Sequence, residues 1–195
     1  MTENKYLSDI TADELNNYKT GSFPGNILTV DSSENFHYYL SLLQNRKFLG
    51  FDTETKPSFR KGKRNKVSLL QLAFDNTALL FRINKIGLPA ELLKILSDPN
   101  IIKAGVAVQE DLRILRKVAE FQPAGFVDLQ NIAKEFGIES KSLKKLSAIV
   151  LGFRISKRQQ VTNWNAQVLS EAQKIYAATD AWVCYEIYKK LKETE

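Results

Sequence analysis

The residues of this sequence best suited to chemistry are carboxylates, beginning with Asp52 and Glu54. They follow an apolar run, residues 48–51, that predicts a short buried strand. Side chains two residues apart share one face of a strand, so both acids should project together. Carboxylates held this close raise each other's pKa unless a cation lies between them. Acids at a strand end are also common without any ligand, so the pair alone leaves both interpretations open.

Two further acids fall within apolar stripes of predicted helices. Asp111 follows Val108 by three positions, on the apolar face of its helix. Asp180 follows Tyr176 by four, on the apolar stripe of the last helix. Burying an unpaired carboxylate is costly, so each acid needs a partner. Alternatively, Asp111 interacts with the helix dipole and Asp180 with the tyrosine hydroxyl.

Shared cations are the simplest explanation for carboxylates that converge from three elements. The chain has a single histidine, His37, and a single cysteine, Cys184. A multi-histidine zinc site, a thiolate site and a histidine-based triad are therefore hard to build. Ligation by oxygen alone selects Mg²⁺ or Mn²⁺. Two such ions about 3.5–4 Å apart are the apparatus of phosphodiester hydrolysis.

Basic residues near these acids indicate a polyanionic partner, in keeping with a net charge of +6. A cluster directly after the acidic strand comprises Arg60, Lys61, Lys63, Arg64 and Lys66. An opposite wall could be formed by Lys141, Lys144, Lys145, Arg154, Lys157 and Arg158. These side chains can neutralise phosphates, although a charged loop can also be merely solvated. Trp164 could stack on a base, although a tryptophan after a loop is more often in the core.

The predicted elements that must position these residues are strands and helices, which alternate along much of the chain. Strands are predicted at about 26–30, 47–55, 66–74, 78–83, 100–104 and 125–128. Helices are predicted at about 8–18, 32–45, 89–96, 107–121, 129–136, 143–151 and 170–192. This order predicts an α/β fold in which helices flank a mixed sheet. We expect one domain from 26 to 195, preceded by a surface arm, residues 1–25.

The sequence shows no targeting or membrane segment. Residues 1–5 have no apolar signal core, and no apolar run approaches membrane-spanning length. We therefore expect a soluble, intracellular protein in the cytoplasm.

Three segments together resemble the exonuclease motifs of the DEDD superfamily. They are residues 51–54 (FDTE), 105–112 (GVAVQEDL) and 176–181 (YAATDA). The Tyr-x-x-x-Asp spacing resembles the tyrosine branch of that superfamily. Within the branch, the chain is most similar to Werner-type exonuclease domains and more distantly to ribonuclease D. Residues 66–71 and 162–164 also match, and the resemblance covers about residues 26–192.

The resemblance implies a ribonuclease H-like fold and 3′→5′ removal of mononucleotides from nucleic acid, with DNA favoured over RNA. It implies that Asp52 bridges two divalent cations, Mg²⁺ or Mn²⁺, and that Glu54 and Asp180 complete the inner site. Asp111 would hold the second ion, and Tyr176 would orient the attacking water. Two alternatives are ribonuclease D-like trimming of RNA and a catalytically silent module that binds nucleic acid.

Overall fold

The computed structural model describes residues 5–57 and 65–193, in which six strands form one mixed sheet. The sheet order is β1-β4-β3-β2-β5-β6. The strands are β1 (Asn26–Val30), β2 (Phe48–Thr55), β3 (Val67–Phe74), β4 (Thr77–Phe81), β5 (Ile102–Gly105) and β6 (Phe126–Asp128). β3 pairs antiparallel with β2 on one side and with β4 on the other. β1 is parallel to β4, and β5 is parallel to both β2 and β6. The predicted mixed sheet is confirmed.

Helices pack on both faces of the sheet. They are α1 (Ala12–Asn17), α2 (Phe36–Ser41), α3 (Ile83–Ile86), α4 (Ala90–Leu96), α5 (Val108–Leu115), α6 (Leu129–Glu135), α7 (Leu143–Leu146) and α8 (Glu171–Lys192). A short π-helix, Ser147–Leu151, continues α7 and ends at Gly152, which has a φ of 82°. Within the described ranges, no helix has the length and apolar character needed to cross a membrane.

The long helix α8 lies directly against β2, and a glycine permits this contact. A Cβ atom at Gly50 would lie 1.9 Å from the carbonyl oxygen of Ala181 and 2.6 Å from the backbone nitrogen of Tyr185. Alanines of α8, such as Ala177, pack on apolar residues of β3, including Leu69. Small residues thus bring the helix axis close to the sheet.

The opposite face of the sheet is covered by α2, α4 and α5. Leu40, Leu92 and Leu112 from these helices join a buried cluster that includes Leu49 and Phe51 of β2. β2 is therefore enclosed on both faces, and its alternating side chains meet α8 on one side and α5 on the other.

Three predicted helices are shorter than their sequence pattern indicated. The helix predicted for residues 8–18 begins only at Ala12, after its cap Thr11. The helix predicted for residues 32–45 begins only at Phe36, after Asn35, which has a left-handed backbone with a φ of 56°. The helix predicted for residues 107–121 likewise follows a left-handed residue, Ala107, and its regular part ends at Leu115. Apolar spacing fixes which face is buried, but it does not show where the backbone leaves helical geometry.

Residues 5–25 lie against the rest of the chain. The capping box predicted for α1 is present, because the Glu14 amide donates to Thr11 and the Thr11 amide donates to Glu14. Ile10 packs with Ala148, and the Phe23 amide donates a hydrogen bond of 2.9 Å to Thr179 Oγ1. The division of the chain at residue 25 stays a prediction.

Candidate active site

Three carboxylates meet where β2 runs beneath α8. Asp52 and Glu54 lie on the same face of β2 as Gly50, and Asp180 approaches that face from α8. One carboxylate oxygen from each of these acids lies within 4.8 Å of the other two. We call Asp52, Glu54 and Asp180 the carboxylate triad. Glu54 and Asp180 are buried, and Asp52 is partly exposed.

Burial raises the pKa of every member of the triad, and the charges of neighbouring acids raise it further for Asp52 and Glu54. Burial raises the pKa of Glu54 to about 9, with further contributions from the charges of Asp180 and Asp111. Burial also raises the pKa of Asp52 well above its usual range, assisted by Asp180 and Glu54. The described protein surroundings therefore disfavour the ionised form of these carboxylates, and a bound cation would favour it.

Asp180 is hydrogen-bonded by Tyr176, which lies one turn earlier in α8. Burial raises the pKa of Asp180 to about 7, while a hydrogen bond from the Tyr176 hydroxyl and the charge of Lys157 lower it. Burial, followed by the charge of Asp180, raises the pKa of Tyr176, so its hydroxyl keeps its proton. Asp180 Oδ1 is buried without a hydrogen-bond partner among the described residues. An oxygen-only donor set with a free buried oxygen fits Mg²⁺ or Mn²⁺.

Asp111 lies outside the triad and is held by a residue that the sequence analysis missed. Thr53 Oγ1 donates a hydrogen bond of 2.6 Å to Asp111 Oδ1. Burial raises the pKa of Asp111 to about 6, and the hydrogen bond from Thr53 lowers it. The sequence did contain a signal for this contact. Side chains alternate along a strand, so Thr53, between Asp52 and Glu54, must face the opposite side, toward α5.

A cleft of about 350 Å³ opens over the carboxylate triad. Asp52, Glu54, Tyr176 and Asp180 line one part, whereas three predicted basic-wall residues, Lys141, Lys144 and Lys157, line another. Arg158 instead lines a neighbouring cavity of about 320 Å³ that also reaches Tyr176. The cleft thus combines an acidic floor with a cationic wall.

Trp164 and Lys66, two other predicted nucleic-acid contacts, are not among the described residues that line this cleft. Trp164 is fully buried and packs beside Tyr176, with ring centroids 5.9 Å apart. Its ring is therefore part of the core and is not available to stack on a base, which corrects the stacking role considered for it. Lys66 is exposed and directly precedes β3. The remaining basic cluster, Arg60, Lys61, Lys63 and Arg64, lies outside the described residues.

Comparison with known proteins identifies the family. A family model described as 3′-5′ exonuclease matches residues 27–194. The chain belongs to this 3′-5′ exonuclease family. The mouse bifunctional 3′-5′ exonuclease/ATP-dependent helicase WRN is 36% identical over 149 residues, which cover 73% of this chain and 11% of that protein. The human exonuclease mut-7 homolog is 31% identical over 179 residues, which cover 77% of this chain and 20% of that protein.

Solved structures of exonucleases share the fold. The Nibbler EXO domain of Aedes aegypti superposes with a TM-score of 0.80 at 25% identity, covering 89% of this chain and 92% of that one. Escherichia coli RNase D, an exoribonuclease involved in structured RNA processing, gives a TM-score of 0.77 at 26% identity, over 86% and 44% of the two chains. The ribonuclease H-like fold and the resemblance to DEDD exonucleases are confirmed. The chain spans only about a tenth to a fifth of the two curated relatives above.

Proposed function

We propose that this 3′-5′ exonuclease domain releases mononucleotides from nucleic acid by metal-dependent hydrolysis, with DNA as the favoured substrate. The observation that carries this proposal is the carboxylate triad, in which one oxygen from each acid lies within 4.8 Å of the other two. A purely structural cluster of this kind would be strongly destabilising at neutral pH.

Asp52, Glu54 and Asp180 would hold the divalent cations, and Asp111 would complete the second of two sites. When bound, Mg²⁺ or Mn²⁺ lowers the pKa of water and stabilises charge on the phosphoryl oxygens. The protein's own contribution is orientation. The Tyr176 hydroxyl keeps its proton and can hold the attacking water by a hydrogen bond, while Thr53 fixes the carboxylate of Asp111.

The cationic wall of the cleft supports a phosphodiester substrate. Lys144 and Lys157 line the same cleft as the acids, where they can neutralise phosphates of an entering strand. The proposed preference for DNA rests on the 36% identity to the mouse exonuclease/helicase WRN. The proposed cytoplasmic location stays a prediction.

The test of substrate is a ladder assay with matched DNA and RNA oligonucleotides, single- and double-stranded, labelled at the 5′ end. We expect products shortened one nucleotide at a time in the presence of Mn²⁺, with DNA degraded faster than RNA. Chelation of the metal should stop the reaction. Faster digestion of RNA would overturn the choice of DNA.

A ribonuclease D-like exoribonuclease is the second candidate, because E. coli RNase D shares 26% of its residues with this chain over the aligned region. A silent binding module is the third candidate. It predicts that oligonucleotides bind yet remain intact with Mn²⁺ over a prolonged incubation.

A further inference from the structure

Gln71 has no part in the mechanism above, and its environment is unusual for an amide. It lies within β3, whose eight residues are all buried, and its own side chain is fully buried. Among the residues that the structure describes, neither Gln71 Nε2 nor Oε1 has a hydrogen-bond partner. A buried amide without a partner destabilises a fold, whereas an apolar side chain of similar length would not. The residue therefore needs an explanation other than packing.

β3 places Gln71 beside the carboxylate triad. Gln71 is the cross-strand partner of Asp52 in the antiparallel pairing of β2 with β3. Directly opposed residues project from the same face, with Cβ atoms about 4.5–5.5 Å apart. That face lies under α8, because Leu69 and Ala73, which flank Gln71 on it, pack with Ala178. The amide of Gln71 is thus within side-chain reach of the Asp52 carboxylate.

The chemistry of an amide suits this position. Its NH₂ group donates two hydrogen bonds and adds no charge to a site where acids already repel one another. The terminal torsion of glutamine is broad, so the amide can turn toward an ionised carboxylate at little cost. Carboxylates that bind metal are commonly oriented by such outer hydrogen bonds.

We propose that Gln71 is a positioning residue whose Nε2 donates to the Asp52 carboxylate when Asp52 holds a divalent cation. The inference rests on the proposed metal-dependent function. In the metal-free protein the amide only adds the cost of its burial, whereas in the metal-bound protein it fixes the orientation of Asp52. Its replacement should therefore move stability and cation affinity in different directions.

The test compares Gln71→Met with the wild-type chain in two measurements. Thermal melts in EDTA should show an unchanged or higher Tm for Gln71→Met, because two unpaired buried polar atoms are removed. Titration with Mn²⁺, followed by the electron paramagnetic resonance signal of the free ion, should show a Kd raised about 10- to 100-fold.

Gln173→Met is the matched control. Gln173 is also buried, but its amide donates to Thr162 Oγ1 at 3.0 Å and its oxygen accepts from the Ser170 amide at 3.1 Å. This variant should melt at a lower temperature and bind Mn²⁺ with the wild-type Kd, since the lost bonds hold the cap of α8 at Ser170 and the preceding loop at Thr162.

The outcomes separate the two proposals. A wild-type chain that does not bind Mn²⁺ would contradict the metal-dependent function itself. If the wild type binds Mn²⁺ and Gln71→Met binds it equally well, only the role of Gln71 is overturned. A lower Tm in EDTA for both Gln71→Met and Gln71→Leu, or failure of both to fold, would also overturn it, because the amide would then support the metal-free fold.

Discussion

At the scale of single residues, the candidate site depends on carboxylates that the fold itself does not neutralise. Asp180 is 6% exposed, and its Oδ1 has no hydrogen-bond partner in the described part of the chain. The interactions that favour its ionised form, from Tyr176 and Lys157, do not offset burial, and its pKa stays raised at about 7. An acid in this state stabilises a bound cation and not the empty protein.

Asp180→Asn should abolish activity while preserving the fold. The substitution keeps the shape of the side chain but removes a metal-binding charge, so we expect turnover to fall about a thousandfold or more. Stability in EDTA should hold or rise, because repulsion with Asp52 and Glu54 is relieved. A nuclease assay beside thermal melts measures both effects, and Tyr176→Phe should be milder because it removes no ligand. An active but destabilised Asp180→Asn protein would contradict the role of Asp180.

Thr53→Val tests the hydrogen bond that holds Asp111. Valine keeps the side-chain shape but leaves the Asp111 carboxylate without its 2.6 Å donor. Hydrogen bonds to charged groups contribute about 1.5–3 kcal/mol, so we expect activity to fall roughly tenfold or more. Because that bond lowers the pKa of Asp111, the acidic limb of the pH–rate profile should move to higher pH. A profile that keeps its wild-type acidic limb would show that Thr53 does not influence the ionisation of Asp111.

At the scale of elements, the sequence predicts the strands and the buried acids better than it predicts helix lengths. The strand containing Asp52 follows from the apolar run before it, and the helix containing Asp180 follows from an apolar stripe at helical spacing. The start of α2 could not be predicted, because it depends on left-handed backbone at Asn35 that no side-chain pattern requires. The C-terminal end of α5 at Leu115 is likewise not marked by the apolar spacing. The donor Thr53 was also missed, since its partner comes from a different element.

Gly50→Ala should separate α8 from β2. A Cβ atom 1.9 Å from the Ala181 carbonyl oxygen meets rigid backbone, so the helix must move away and carry Asp180 with it. Overpacking typically costs about 1–3 kcal/mol, and we expect at least this loss in the free energy of unfolding. Mn²⁺ affinity should fall as well, because the triad is spread apart. Urea denaturation and Mn²⁺ titration measure the two losses.

Thr55→Ala provides the comparison within the same strand. Thr55 is the last residue of β2 and is only partly buried, so we expect its replacement to leave the position of the helix unchanged. Wild-type Mn²⁺ affinity in Gly50→Ala would indicate that α8 does not need this close approach to bring Asp180 to the site.

At the scale of the whole molecule, a basic chain encloses an acidic centre. The net charge of +6 attracts a polyanion, and Lys141, Lys144 and Lys157 bring part of that charge to the rim of the cleft. The acids at its floor repel a phosphate until cations intervene. Substrate attraction and metal binding are therefore expected to be coupled: the metal turns the floor of the cleft from repulsive to attractive for the scissile phosphate.

The same charge distribution predicts how metal-free stability depends on pH. Glu54, with a pKa of about 9, and Asp180, with a pKa of about 7, bind protons more tightly in the folded chain than in the unfolded chain. Their stabilising contribution is complete below their unfolded pKa values, near 4, and is lost as pH rises through the folded values. Lys103, whose pKa burial lowers to about 8, has the opposite effect, but mainly above that pH. Between pH 5 and 8 the Tm in EDTA should therefore fall.

Divalent metal should reverse this trend, because it binds the ionised carboxylates of the folded chain and competes with protons. The increase in Tm on adding Mn²⁺ should be small at pH 5 and larger at pH 8. Thermal melts at several pH values, with EDTA or with Mn²⁺, measure both curves. Asp180→Asn should flatten both curves, since it lacks one of the titrating acids. If the Tm in EDTA stayed constant from pH 5 to 8 and the Mn²⁺ effect did not depend on pH, the carboxylates would not be the groups that bind the metal.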